Sequence, residues 1–227
     1  MTEPLRAVRV WDLPLRLFHW TLVALVLLSW ASRELDLMEL HRNSGYGILA
    51  LVLFRVIWGF AGTRHARFAD FVRAPSAMRA YIRETARGGV QRFLGHNPAG
   101  GWSVVAMLAC LAVQAVTGLF LTDDVLFDAP FHGVLSEKTT HALKRLHDAN
   151  FTVLLILVGL HLTAIAFYRF VKREDLVRPM LTGVKWVPMA SQAEEPPPVG
   201  WWRAPVALAI AAGLVAGALS FAPGKVW

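Results

Sequence analysis

Four of the eight histidines stand at the ends of, or within, stretches that are otherwise almost pure hydrocarbon: His19, His41, His147 and His161. An ionisable ring inside a bilayer is costly unless something binds it. Spacing suggests what could. His147 and His161 are 14 residues apart, which on an α-helix is about 21 Å of rise and about 320° of rotation, so they share one face at two depths. His19 opens one apolar window and His41 opens the next, which runs the other way, so these two also differ in depth. Matching by level pairs His19 with His161 and His41 with His147. Two histidines facing each other across a helix bundle form the axial set of a six-coordinate haem b, each supplying one nitrogen while the macrocycle fills the space between helices. The constellation reads as a transmembrane dihaem wire. The other histidines, His65, His96 and His132 in hydrophilic loops and His141 on an outward extension of the fourth helix, read as ordinary solvated side chains.

Such an arrangement needs spanning helices, and the composition supplies them. Of 227 residues, 56 % are apolar and only 17 % charged, too greasy for an ordinary soluble domain of this length. Windows long enough to cross about 30 Å of hydrocarbon fall at about 13–32, 45–62, 102–121 and 148–170, with a fifth at 204–222. The fold class expected is an all-α membrane protein, a four-helix transmembrane haem-binding bundle plus a fifth C-terminal transmembrane helix. The haem domain covers 1–185, a Pro-rich linker 186–203 and the additional helix 204–222. Gly213 and Gly217 give that last helix a small-xxx-small face suited to close packing. The first window resembles a signal peptide in outline, but Asp12 and Pro14 are awkward in one, and His19 has a use. Cys110 is the only cysteine, which excludes intrachain disulfides, cysteine-ligated iron-sulfur clusters and C-x-x-C-H haem attachment.

Charge sorts the loops. Residues 64–101 carry a net +5 and 169–203 a net +2, whereas 32–42 and 122–150 sum to −1 and −2. The positive-inside rule then places the N-terminus in the cytoplasm and, after five spans, the C-terminus outside. The overall charge of +7 is therefore mostly topology, with no recognisable nucleic-acid module. Between Phe68 and Arg83 apolar residues alternate with arginines, compatible with a short helix on the inner leaflet or with an irregular basic loop.

Other residues attach to the histidine scheme. Arg16, three before His19, and Arg55, fourteen after His41, are candidates to neutralise a propionate of the inner haem; Lys144 or Arg145 could serve the outer one. Gly45, Gly47, Gly118 and Gly159 would let a flat ring approach a backbone. Gln114 or Thr117 could line a quinone pocket, although polar residues in spans are as often interhelical glue. Asp123, Asp124 and Asp128 could dock a basic c-type cytochrome.

The segments VWDLPLRLFHW at 10–20, HRNSGYGILALVLFRVIWGF at 41–60, GTRHARF at 62–68, GHNPAGGW at 95–102 and LHDANFTVLLILVGLHLTAI at 146–165 resemble the bacterial cytochrome b561 family and the related cytochrome b subunit of nickel-iron hydrogenases. The resemblance implies a four-helix core in the bacterial inner membrane and two non-covalent b haems with bis-histidine ligation, His19 and His161 for the inner, His41 and His147 for the outer. It also implies electron exchange with quinones, hydrogenases or other redox subunits, or c-type cytochromes. Asp148 stands where glutamate is more usual in the family. Two other classes stay open: a quinol-oxidising or quinone-reducing membrane-anchor subunit, and a transporter or scaffold whose histidines bind a non-haem metal or nothing.

Overall fold

Asp12 opens the first long helix: its carboxylate accepts the Leu15 amide at 2.7 Å, and Pro14 occupies the first turn, where a missing N–H costs nothing. The computed structural model describes residues 4–89, 93–123, 127–191 and 194–223. Within them α1 spans Leu13–Glu34, α2 Met38–Ala61, α3 Phe68–Phe71, α4 Pro75–Ala86, α5 Pro98–Gly118, α6 Glu137–Phe170, α7 Val177–Thr182 and α8 Arg203–Ser220; strands β1 and β2 are Leu5–Arg9 and Val184–Pro188. Five helices, α1, α2, α5, α6 and α8, are long and apolar enough to cross a membrane, and the chain is a mostly helical membrane protein. Asn97 caps α5 through a 2.7 Å bond from Gly100, and Ser136 caps α6. With 34 residues α6 is about 51 Å long, well beyond the thickness of a hydrocarbon core.

The central element is α2, which packs against α1, α5 and α8, while α5 also packs against α6. Phe54 and Trp58 of α2 stack with ring centroids 5.9 Å apart, and both are buried with Leu15, Phe18, Val52 and Leu111. No comparable seam closes α6 back onto α1 or α2. The four-helix layer is thus open along one side, and His19, His41, His147 and His161 all come from the helices bordering that gap.

Asp12 also ties the end of α2 to the start of α1. Trp58 Nε1 donates to its two oxygens at 3.3 and 3.1 Å, and Thr63 Oγ1 donates at 2.5 Å. At this same end of the bundle β1 and β2 pair antiparallel, Leu5 opposite Pro188 and Arg9 opposite Val184. That strand pair was not expected from the sequence: each strand is five residues long and its partner is almost the whole chain away. Gly183 ends α7 in the left-handed region at φ 84° and hands the chain directly to β2. Residues 68–86, for which a helix and an irregular loop were both open, form α3 and α4, with Tyr81 buried.

Two glycine expectations are corrected. Helix α8 packs through Ala207, Ala211 and Val215, all buried, whereas a Cβ added at Gly213 or Gly217 would touch nothing; the small-residue face points away from the bundle. Gly47 is a helix-contact residue, since a Cβ there would lie 2.9 Å from Leu25 of α1.

Candidate functional site

At the end of the bundle away from the N-terminus, a cavity of about 560 Å³ opens between α1, α2, α5 and α6, lined among others by His41, Gly45, Tyr46, Gln114, Gly118 and His147. That volume is in the range of cofactor pockets. The rings of His41 and His147 have centroids 6.5 Å apart, too far for mutual hydrogen bonding and wide enough for one metal ion bonded at about 2 Å to a nitrogen of each. Gly45 faces this space, for a Cβ there would meet nothing within 4 Å. Gly118 serves differently: its Cβ would come within 3.3 Å of His147 Cε1, so the missing side chain makes room for the histidine itself.

Both rings are oriented through Nδ1. His41 Nδ1 lies 2.8 Å from the Ser29 carbonyl oxygen, which can only accept, so Nδ1 carries the proton. Thr117 Oγ1 donates to the Val113 carbonyl at 2.7 Å and lies 3.0 Å from His147 Nδ1. Its proton is therefore engaged, and it accepts from His147 Nδ1–H. In both residues the tautomer leaves Nε2 with its lone pair, the arrangement that prepares an imidazole for a metal. The sequence carries no sign of Ser29, because its closer contact is through the backbone, with its hydroxyl at 3.2 Å from the same nitrogen. Thr117 was legible only as a polar residue in a span.

The second level lies toward the N-terminal end. His19 on α1 and His161 on α6 are within electrostatic range of each other, both half-buried, and His19 Nδ1 is shielded from solvent without a hydrogen-bond partner. Arg55 is 2 % exposed, and its two terminal nitrogens have no hydrogen-bond partner among the described residues. Arg16 donates to the Leu181 carbonyl and so also fastens α7 to α1; its Nε is buried and unpartnered.

Two histidines assigned to solvent prove otherwise. His65 is 6 % exposed, with Nδ1 at 2.9 Å from Asp70. The His96 ring sits between Trp11 and Phe71, centroids 4.8 and 4.7 Å away; burial first, then the neighbouring Arg55, pushes its pKa down to about 3. Their loops are hydrophilic in composition but fold back under α2 and α5. His132, in an ion pair with Asp128 at 3.1 Å, and His141 are exposed, as expected.

Of the remaining sequence candidates, Lys144 lines the cavity and Arg145 is exposed. Arg42 and Tyr46, which the sequence reading passed over, line the cavity with Nε and the hydroxyl buried and unpartnered. Gln114 accepts from Asn150 Nδ2 at 2.7 Å, joining α5 to α6. Asp123 accepts the Phe127 amide at 2.8 Å within its own loop; Asp124 lies outside the described residues. Gly159 faces open space.

Among the described residues no group of three or more His, Cys, Asp or Glu side chains converges as a metal site. The histidines come in twos, which suits an ion whose equatorial nitrogens belong to a macrocycle. Fold and site together define a membrane bundle of the haem-binding cytochrome b class. The model of the family described as prokaryotic cytochrome b561 matches residues 10–183, and the chain belongs to that family. Neither a curated protein nor a solved structure matches it. Membership brings haem b binding and membrane electron transfer as its class of work; α8 lies beyond the matched residues.

Proposed function

We propose that this chain carries two b haems, one on His19 and His161 and one on His41 and His147, and relays electrons across a bacterial inner membrane between a quinone pool or redox subunit and a c-type cytochrome or hydrogenase. The observation carrying this reading is the His41–His147 pair: rings 6.5 Å apart, each with Nδ1 engaged, on the walls of a cavity of about 560 Å³.

Haem b, when bound, supplies a one-electron ferric/ferrous couple. The protein's residues do the rest. Ser29 and Thr117 fix the imidazole planes and raise their basicity. Ile48, Leu111 and Leu154 line the cavity with apolar surface, which lowers the local dielectric. Arg42 and Tyr46 at the outer level, with Arg16 and Arg55 at the inner, present donors suited to carboxylates. The excess of basic residues in 64–101 and 169–203 supports a cytoplasmic N-terminus.

The test is the absorption spectrum and haem content of the purified protein. A split b-type band and about two haems per chain are expected, falling to about one in His19→Ala and in His161→Ala with the outer haem's band intact. Colourless protein, or both haems retained in either variant, would overturn the reading. Reduction of the purified haems by a quinol analogue then tests the quinone arm.

A further inference from the structure

The end of α2 nearest the N-terminus holds a buried cation whose two terminal nitrogens have no hydrogen-bond partner among the described residues, with Asp12 acting on it only at a distance. Arg55 is 2 % exposed, with its guanidinium 5.1 Å from the Phe68 ring and 5.6 Å from the Phe71 ring. The aromatic faces are held close because Gly59 and Gly101 clear the way: a Cβ would lie 2.1 Å from Phe68 at the first and 2.5 Å from the Phe71 carbonyl at the second. Such faces stabilise a cation, but they accept no N–H bond in the plane of the guanidinium. Both nearby carboxylates are committed, Asp12 to Leu15, Trp58 and Thr63 and Asp70 to Arg64 and His65. A guanidinium held out of water without an acceptor is strongly disfavoured.

Two more unpartnered ring nitrogens stand beside it. His65 Nε2 and His96 Nδ1 are buried without hydrogen-bond partners. The two residues adjoin through Gly95, whose Cβ position is 3.4 Å from His65 Nδ1, and His96 packs on the same Phe71 ring as Arg55. Electrostatic interaction joins His96 to Arg55, His65 and His161, so the cluster borders the level of the inner histidine pair.

We propose that Arg55 and His96 form one carboxylate pocket, and that its ligand is a propionate of the haem held by His19 and His161. The proposal rests on the dihaem reading above. Arg55 supplies two parallel N–H donors, the geometry that matches a carboxylate. Neutral His96 in its Nδ1–H form adds a third donor, while His65 gives its Nδ1–H to Asp70 and borders the pocket without donating to it.

The experiment uses holoprotein in a His41→Ala background, which leaves the inner haem as the only chromophore. Resonance Raman propionate bending bands and the midpoint potential are read for the parent and for Arg55→Gln, Arg55→Lys, His65→Phe and His96→Phe. A positive charge beside a haem favours its reduced state. Arg55→Gln is therefore expected to weaken reduction about tenfold, about 59 mV for one electron, and to move the propionate band; Arg55→Lys restores most of the potential. His96→Phe shifts the band with a smaller change in potential, and His65→Phe leaves the band in place. An unmoved band and potential across the variants would overturn the proposal. A parent potential that responds to millimolar malonate or phosphate, with the band unmoved by the variants, would do so too, since a dissolved anion is then the ligand. Parent protein without an inner haem would instead sink the dihaem reading itself.

Discussion

The rings of His41 and His147 face each other at 6.5 Å, and their Nδ1 atoms are anchored by different means: His41 by the backbone carbonyl of Ser29 at 2.8 Å, His147 by the hydroxyl of Thr117 at 3.0 Å. The difference is testable. Ser29→Ala removes the longer hydroxyl contact at 3.2 Å but leaves the carbonyl bond in place, and is expected to alter haem affinity little. Thr117→Val keeps shape but removes the hydroxyl acceptor of His147 Nδ1–H, leaving only the Gln114 backbone, and a loss of about 10-fold in affinity for the outer haem follows from the usual weight of such partners. Haem titration of the apoprotein, read at the outer haem's band, compares the two; equal effects would refute the tautomer assignment.

Gly45 and Gly118 border the same cavity but answer differently to an added side chain. Gly45→Leu enters open space on the cavity side, so the helices stay folded while the volume for a macrocycle shrinks. The expected result is a normal helical circular dichroism spectrum with about one haem per chain. Gly118→Ala places its methyl 3.3 Å from His147 Cε1 and tilts the ring, which broadens or shifts the outer band with most of the haem retained.

Asp12 unites three donors at the junction of α1, α2 and the segment that follows. Asp12→Ala loses the N-cap and leaves Trp58 Nε1 and Thr63 Oγ1 without their acceptor, a loss of about 3 kcal/mol. Asp12→Asn keeps one acceptor oxygen and should fall between. Unfolding midpoints in detergent give the order, and an Asp12→Ala midpoint equal to wild type would exclude this clamp.

The five spans and the two depths of the histidines were legible because both follow from helix geometry: length against bilayer thickness, and 3.6 residues per turn. Helix arithmetic was enough to set His147 and His161 on one face. It was not enough to say which side of α8 packs, since Ala207, Ala211 and Val215 lie on one face and Gly213 and Gly217 on another, and both faces are small. The β1–β2 pair escaped because antiparallel pairing over such a separation leaves only two short amphipathic runs. His65 and His96 were misjudged because their loops are rich in arginine and glycine; composition reports what a loop contains, not that Phe68 and Phe71 draw it under the bundle. GTRHARF and GHNPAGGW, already noted for their resemblance, contained the signal.

Burial of His96 has a consequence for acid stability. The ring is enclosed by Trp11 and Phe71, with Arg55, His65 and His161 opposing its protonation and Asp70 alone favouring it, and its pKa is pushed down to about 3 from 6.5. Above pH 6.5 the side chain is neutral both folded and unfolded, and contributes no pH dependence. As pH falls below 6.5 the unfolded chain takes up a proton that the folded one refuses, so stability declines toward pH 3, at up to about 1.4 kcal/mol per unit. A propionate bound beside it would raise the folded pKa and reduce the slope without changing its sign. His96→Gln removes this titration. The difference in unfolding midpoint between the variant and wild type should therefore move in the variant's favour as pH is lowered from 6.5 to 4.5; parallel curves over that range would mean that His96 accepts its proton in the folded protein as readily as in the unfolded chain.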